Sequence, residues 1–164
     1  MKKLLQFSGL ISLVLAIVAF ILMMATNAVI VGSGNLQVVT PGTTAIFGKS
    51  GTLGDTHPSA LALIGWILLL AGLIIVLLGV VLPLLKIKAL EKFSGILDIV
   101  ALVCFVLCGV FMFLVVPTFY SANNTDVPNN AAIGAGWVIG GILAIAAGAF
   151  AILPAASAFM GKKK

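Results

Sequence analysis

The sequence predicts an all-α integral membrane protein in which four transmembrane helices form a bundle. Two observations support this prediction. Of the 164 residues, 62% are hydrophobic and 8% are charged, and the mean hydropathy of +1.32 lies far above that of soluble domains. Four apolar stretches are each long enough to cross a hydrocarbon core of about 30 Å as a helix. They cover residues 4–25, 61–85, 93–116 and 133–158, and residues 1–164 are expected to form a single four-span domain.

The positions of the lysines predict how the chain is oriented. Eight of the nine lysines lie before the first stretch, between the second and third, or after the fourth, and Lys49 lies apart from them. Because lysine is enriched in cytoplasmic loops, both termini are expected in the cytoplasm, with segments 26–60 and 117–132 on the outer side of the cell membrane. The aromatic residues expected at the outer interface are Trp66, Tyr120 and Trp137.

The first stretch has an alternative interpretation as a cleaved signal peptide. Met1-Lys2-Lys3 is a positively charged start, and Thr26-Asn27-Ala28 could serve as a cleavage site. The apolar stretch is, however, longer than the roughly 7 to 15 residues of a typical signal-peptide core. This length favours an uncleaved span.

Two matching pairs of segments predict an internal repeat. Phe7-Ser8-Gly9 in the first stretch matches Phe93-Ser94-Gly95 in the third, and Gly65-Trp66-Ile67 in the second matches Gly136-Trp137-Val138 in the fourth. The chain is therefore expected to consist of two tandem helical hairpins. Hairpins inserted in the same orientation would be related by a pseudo-two-fold axis along the membrane normal.

The first outer segment is predicted to carry a small β-meander. Three β-prone runs, 28–31, 36–39 and 44–47, are separated by turn-forming residues. With four spans, a longer β-rich first outer segment and a shorter second one, the layout resembles that of the claudins. The resemblance covers architecture only, because segment 26–60 lacks the tryptophans and paired cysteines of the claudin first loop, and it implies no site and no barrier function.

Gly48-Lys49-Ser50 resembles the end of a phosphate-binding P-loop but fails in its spacing. The first glycine of that motif would stand at position 43, which is Thr43. Turn-forming residues follow Ser50, where the P-loop helix would begin. We therefore expect no nucleotide as a partner, and the placement of eight lysines at the ends of the apolar stretches argues against a nucleic acid.

Asp98 is the one charged residue within the four apolar stretches. A carboxylate at this depth is costly in lipid, so it is expected to face the protein interior and to have a partner or a function. The repeat aligns Asp98 with Ser12, whose hydroxyl could donate a hydrogen bond to the carboxylate. The pair is predicted to lock the bundle, and the alternative is an ion or proton path.

Cys104, Cys108 and Met112 place three sulfur atoms on one face of the third stretch. Sulfur ligands of this kind select Cu(I). Thiols buried in an apolar helix are more often packing residues, so neither a metal nor another cofactor is expected.

Small residues form a stripe on the second and fourth stretches. These stripes consist of Gly65, Gly72 and Gly79, at a spacing of seven, and of Gly136, Gly140, Ala144 and Gly148, at a spacing of four. Such stripes allow helices to pack closely. They are expected to lie either within the bundle or against another protein.

No group of residues in the sequence predicts an enzyme. Paired carboxylates, a Ser/His/Asp set and a Cys/His cluster are missing, and the chain contains no arginine. We expect a non-catalytic multi-pass membrane protein that acts through association, as an accessory subunit or small membrane scaffold. Its partners would be the lipid bilayer and other membrane proteins or itself. The alternative is an oligomeric channel or transporter protomer in which Asp98 lines a polar path.

Overall fold

The computed structural model describes residues 2–33, 36–51, 55–84 and 94–153, and most of them are helical. The helices are α1 (Lys2–Ala25), α2 (Gly42–Phe47), α3 (Ala60–Leu84), α4 (Ser94–Phe113), α5 (Val115–Ala122) and α6 (Ala135–Ala151). The strands are β1 (Asn27–Val31), β2 (Val38–Pro41) and β3 (Ala131–Ile133).

Helices α1, α3 and α4 are long and apolar enough to cross a membrane. Their apolar windows run over Phe7–Ala25, Ala60–Val81 and Gly95–Phe113, which makes this chain membrane-embedded in character. Helix α6 is also apolar but has 17 residues, about 26 Å at 1.5 Å per residue. The end of the predicted stretch 133–158 lies outside the described residues.

The third predicted stretch, 93–116, is divided near its end. Helix α4 ends at Phe113, Leu114 follows, and α5 begins at Val115. Pro117 lies in the first turn of α5, where a missing backbone N–H is tolerated. Because Pro117 has no N–H, it also cannot make the backbone hydrogen bond that would continue α4 through this point. Helix α5 then occupies the start of segment 117–132, for which the sequence predicts a loop.

Helices α1, α3, α4 and α6 pack around a common apolar core, and we call them the helical body. Helix α6 packs extensively against both α1 and α4, while α3 packs mainly against α4 and less against α1. The largest fully buried side chains of the body are Trp137, Phe105, Met23, Leu69 and Met112.

The remaining elements form a lobe at one end of the helical body, built from segments 26–59 and 115–134. Its sheet is antiparallel with the order β2-β1-β3, so β1 is central and β2 and β3 are edges. Within the lobe, the Gly42 amide donates to the Thr26 carbonyl at 2.8 Å and the Gly134 amide donates to the Ala28 carbonyl at 3.0 Å. The lobe also contacts the body, because the Phe47 ring of α2 meets the Trp66 ring of α3 with centroids 5.1 Å apart.

The predicted β-meander is wrong in its third strand. The run 44–47 belongs to helix α2, and the third strand, β3, comes from the second segment. Helix α2 buries Gly42, Ala45 and Ile46, which stand three and four positions apart and therefore lie on one helical face. A strand over the same run would turn the neighbouring residues Ala45 and Ile46 to opposite faces.

Candidate functional site

The small-residue stripe of α3 lies against α4, inside the helical body. A methyl group added at Gly72 would lie 2.6 Å from a ring carbon of Phe105, and one at Gly65 would lie 3.4 Å from Cβ of Phe111. One at Gly79 would lie 3.9 Å from the Asp98 carboxylate. Gly65 and Gly72 are buried against the neighbouring helix, and Gly79 is partly buried beside it.

The stripe of α6 is covered as well, by α1 and α4. A methyl group at Gly140 would lie 2.8 Å from the terminal carbon of Met112, and one at Gly148 would lie 3.2 Å from the Leu102 carbonyl. Gly136 lies against the Thr26 side chain, and Ala144 is fully buried. Both stripes therefore serve packing within the chain, and neither forms an open surface.

A close approach of α4 and α6 involves two glycines, Gly109 and Gly141, that were not singled out from the sequence. A methyl group at Gly109 would lie 2.7 Å from the Gly141 carbonyl, and one at Gly141 would lie 3.2 Å from the Gly109 carbonyl. The two backbones therefore touch here. The available signal was an isolated glycine inside an apolar helix, which usually has a packing reason.

The predicted hydrogen bond between Ser12 and Asp98 is wrong. The Ser12 hydroxyl is fully buried and donates to the Ala147 carbonyl at 2.7 Å, which links α1 to α6. Asp98 on α4 is partly buried. One of its carboxylate oxygens lies close to Gly79 of α3, 3.9 Å from where a methyl group on that glycine would stand. Aligned positions of the two hairpins therefore face different helices.

The three aromatic residues predicted at the outer interface all lie at the lobe end of the helical body, but in different surroundings. Trp137 is fully buried, and its Nε1 donates to the Met23 carbonyl at 3.1 Å. Trp66 is partly buried, and its ring meets Phe47 edge-on with centroids 5.1 Å apart. Tyr120 meets Phe119 edge-on at 5.8 Å, and burial raises the pKa of its hydroxyl. The position at the membrane interface stays a prediction for all three residues.

A clasp of side-chain hydrogen bonds ties the end of segment 26–59 to α5. The His57 amide donates to Asn123 Oδ1 at 2.8 Å, and Asn123 Nδ2 donates to the His57 carbonyl at 3.1 Å. Next to it, the hydroxyls of Ser59 and Thr118 share a hydrogen bond of 2.7 Å. We call these two contacts the lobe clasp. Asn123 begins an Asn-Asn-Thr glycosylation sequon, but its amide is committed to these structural bonds.

The order of helix and loop around Gly48-Lys49-Ser50 is the reverse of the order in a P-loop. Helix α2 precedes Gly48, whose amide caps it by donating to the Thr44 carbonyl at 2.9 Å. In a P-loop the helix follows the motif. Lys49 instead forms an isolated antiparallel bridge with Thr56.

Cys104 and Cys108 are free thiols buried in the helical body. Within residues 2–33, 36–51, 55–84 and 94–153, no three His, Cys, Asp or Glu side chains converge as metal ligands. The side chains of Cys104 and Cys108 are 8% and 0% exposed and pack in the apolar interior of the body.

An apolar patch on the lobe is the feature most readily available for contact with another molecule. Its members are exposed by 87% (Leu36), 69% (Val38), 44% (Val39) and 50% (Phe47), and we call them the lobe patch. Three of them lie at or just before the edge strand β2, and Phe47 ends α2. Val38 and Val39 are neighbours on a strand and therefore turn to opposite faces of the sheet. Large exposed apolar surfaces typically mark interaction sites.

No protein-family model matches the chain, and no curated protein is significantly similar to it.

Proposed function

We propose that this is a non-catalytic membrane protein that acts through association, as an accessory subunit or small membrane scaffold. Association takes place through the lobe patch, and the partner is a second copy of the chain. The observation that carries the proposal is the exposure of Leu36, Val38, Val39 and Phe47 on the lobe. The glycine stripes cannot serve instead, because the chain itself covers them.

The position of the patch separates it from the apolar surface of the helices. Residues such as Ile21, Ile74 and Ile142 are also exposed on the helical body, where lipid would cover them. Leu36, Val38 and Val39 of the lobe patch belong to the lobe and not to the long helices, so without a partner their side chains would contact water. Covering them recovers about 25 cal/mol for each Å² of apolar surface removed from water.

The edge strand β2 adds directional hydrogen bonding to this apolar surface. Strand β1 occupies one side of β2, and the order β2-β1-β3 puts its other side at the edge of the sheet. An edge strand can pair with a strand of another chain. Two copies in one bilayer would carry their lobes at the same height, which favours contact between equivalent strands.

The proposal includes four spans, with both termini in the cytoplasm and the lobe outside the cell. Two features support it. The segments that follow α1 and α4 meet in the same lobe, as expected for helices that cross in the same direction. Eight of the nine lysines lie outside the lobe segments, at the start of the chain, between α3 and α4, or after α6, as the positive-inside bias expects for cytoplasmic segments.

We further propose that the chain arose by duplication of a helical hairpin. If the first hairpin, α1 and α3, is related by a two-fold axis to the second, α4 and α6, then α1 corresponds to α4 and α3 to α6. The contact of α1 with α6 then corresponds to the contact of α4 with α3, and both contacts are extensive. Ser12 on α1 meets Ala147 on α6, and its counterpart Asp98 on α4 lies beside Gly79 on α3. The aligned residues thus occupy corresponding contacts.

The channel or transporter alternative has less support. The core of the helical body is apolar, and in the described parts of the chain the fully or nearly fully buried polar side chains are Ser8, Ser12 and Ser59. Ser12 already bonds Ala147, and Ser59 belongs to the lobe clasp. A polar path through one protomer would need more such groups.

Co-expression of two differently tagged copies tests the proposed association. The wild-type copies are expected to copurify in mild detergent, and Val38→Asp combined with Val39→Asp should abolish this by placing charges in the interface. Val127→Asp is the matched control, because Val127 is exposed and precedes β3 at the opposite edge of the sheet. Copurification unaffected by the double substitution would rule out the lobe patch as the contact.

A further inference from the structure

A cleft in the lobe lies between β2, α2, the Lys49–Thr56 bridge and α5. It has a volume of about 400 Å³ and is lined by Val39, Thr40, Pro41, Thr44, Lys49, Thr56, Phe119 and Asn123. This volume falls within the range of small-molecule sites. The cleft shares only Val39 with the lobe patch, so it can be tested separately from the proposed association.

The polar groups of the cleft are positioned by regular backbone structure. Lys49 and Thr56 face each other across a two-bond bridge, in which each amide donates to the other's carbonyl at 2.9 and 2.8 Å. Thr40 lies on β2, and Thr44 lies on α2. Lys49 and the three threonines Thr40, Thr44 and Thr56 therefore line one concave surface.

These groups are available to a ligand. Among the described residues, no protein hydrogen bond engages the hydroxyls of Thr40, Thr44 and Thr56. The Asn123 amide, in contrast, is held by His57 and Phe119 and acts as part of the wall. The Lys49 ammonium group is a hydrogen-bond donor and not an acceptor. The hydrogen of a threonine hydroxyl can rotate to point at an acceptor on the ligand.

The charge of the lining favours an anion. Lys49 is the one charged residue among the lining side chains. The two acidic residues of the described lobe segments, Asp55 and Asp126, are exposed and do not line the cleft. Hydrogen bonds from an ammonium group to a carboxylate or phosphate are about twice as strong as neutral ones.

The apolar lining indicates that the ligand also has an uncharged part. Val39, Pro41 and Phe119 form the rest of the wall, and they offer nothing to a free inorganic ion. We propose that the cleft binds a singly charged carboxylate or phosphate group attached to an apolar chain. The anion contacts Lys49 and the threonine hydroxyls, and the chain lies against Phe119 and Val39.

Titration calorimetry on the protein in phosphatidylcholine nanodiscs tests this proposal. The soluble probes are hexanoate and, as an uncharged control, hexanol; dihexanoyl phosphatidylglycerol serves as the lipid probe. Hexanoate or the short-chain lipid is expected to bind and hexanol is not. Binding of hexanoate identifies a soluble anion as sufficient, whereas binding of the lipid probe alone identifies a lipid headgroup as the source.

Substitutions identify the cleft as the place of binding. Lys49→Gln should weaken the affinity for the bound probe by roughly tenfold or more, whereas Lys49→Arg should retain it. Thr44→Val should also weaken it, and Thr43→Val is the control, because Thr43 is exposed and outside the lining. The proposal is overturned if neither anionic probe binds at millimolar concentration, or if Lys49→Gln leaves the affinity unchanged.

Discussion

Nε1 of Trp137 donates a hydrogen bond to the backbone carbonyl of Met23, 3.1 Å away, where the start of α6 meets the end of α1. The Met23 carbonyl belongs to the last turn of α1, whose carbonyls have no partner within the helix. Trp137 therefore caps α1 from another helix. A methyl group at Gly42 would lie 2.9 Å from the same nitrogen, so α2 also packs closely against this junction.

Trp137→Phe is expected to destabilise the protein by about 1–3 kcal/mol, because a buried carbonyl loses its donor. Thermal unfolding in detergent measures this change. Trp66→Phe is the matched control, since Nε1 of Trp66 is buried with no partner among the described residues. Its removal should cost less, and an equal loss in both variants would contradict the capping role of Trp137.

Gly140→Leu is expected to disrupt the folded monomer rather than an assembly of monomers. Its side chain would meet Met112 and the backbone of α1, and overpacking of this kind costs about 1–3 kcal/mol or more. Ile139→Leu, one position away on the exposed face, should be tolerated. A Gly140→Leu protein with unchanged thermal stability would show that the close packing of α6 is wrong.

Asn123→Ala is expected to open the lobe clasp. The His57 amide would lose its acceptor, so its hydrogen exchange should accelerate, while exchange in the core of α3 should not change. Asn129→Ala serves as the control, because Asn129 is exposed in the same segment. Equal protection of His57 in the wild type and in Asn123→Ala would contradict the clasp.

The long apolar helices were predictable from the sequence, because their length and composition are determined by the membrane. Helices α1 and α3 begin and end within two residues of the predicted stretches 4–25 and 61–85. The glycine stripes were predicted to allow close packing either within the bundle or against another protein, and in the structure they lie beside neighbouring helices of the chain. Sequence spacing does not, however, identify the helix that covers a stripe, which depends on how the helices are arranged in space.

The lobe was less predictable, because tertiary contacts override local propensity there. The β-prone run 44–47 becomes helical, and the alanine-rich residues 131–133 become a strand since β1 provides an edge for them. The burial spacing of Gly42, Ala45 and Ile46 was a usable helical signal. No local signal indicated that Ser12 would bond the Ala147 carbonyl rather than Asp98.

Membrane topology can be measured by labelling introduced cysteines in intact cells. A cysteine at Ser50 or Asn129, both exposed in the lobe, should react with a membrane-impermeant thiol reagent, and one at Ala89 should not. The native residues Cys104 and Cys108 are buried and should give little background. Labelling at Ala89 alone would reverse the proposed orientation.

Site-specific photocrosslinking in the native membrane tests the proposed association most directly. A photoreactive residue at Val38 should give an adduct of twice the 16.8 kDa chain, and the same residue at Val127 should not. An adduct of another mass would replace the second copy with a different protein as the partner. The absence of any adduct at Val38, with the protein intact in the membrane, would contradict association through the lobe patch.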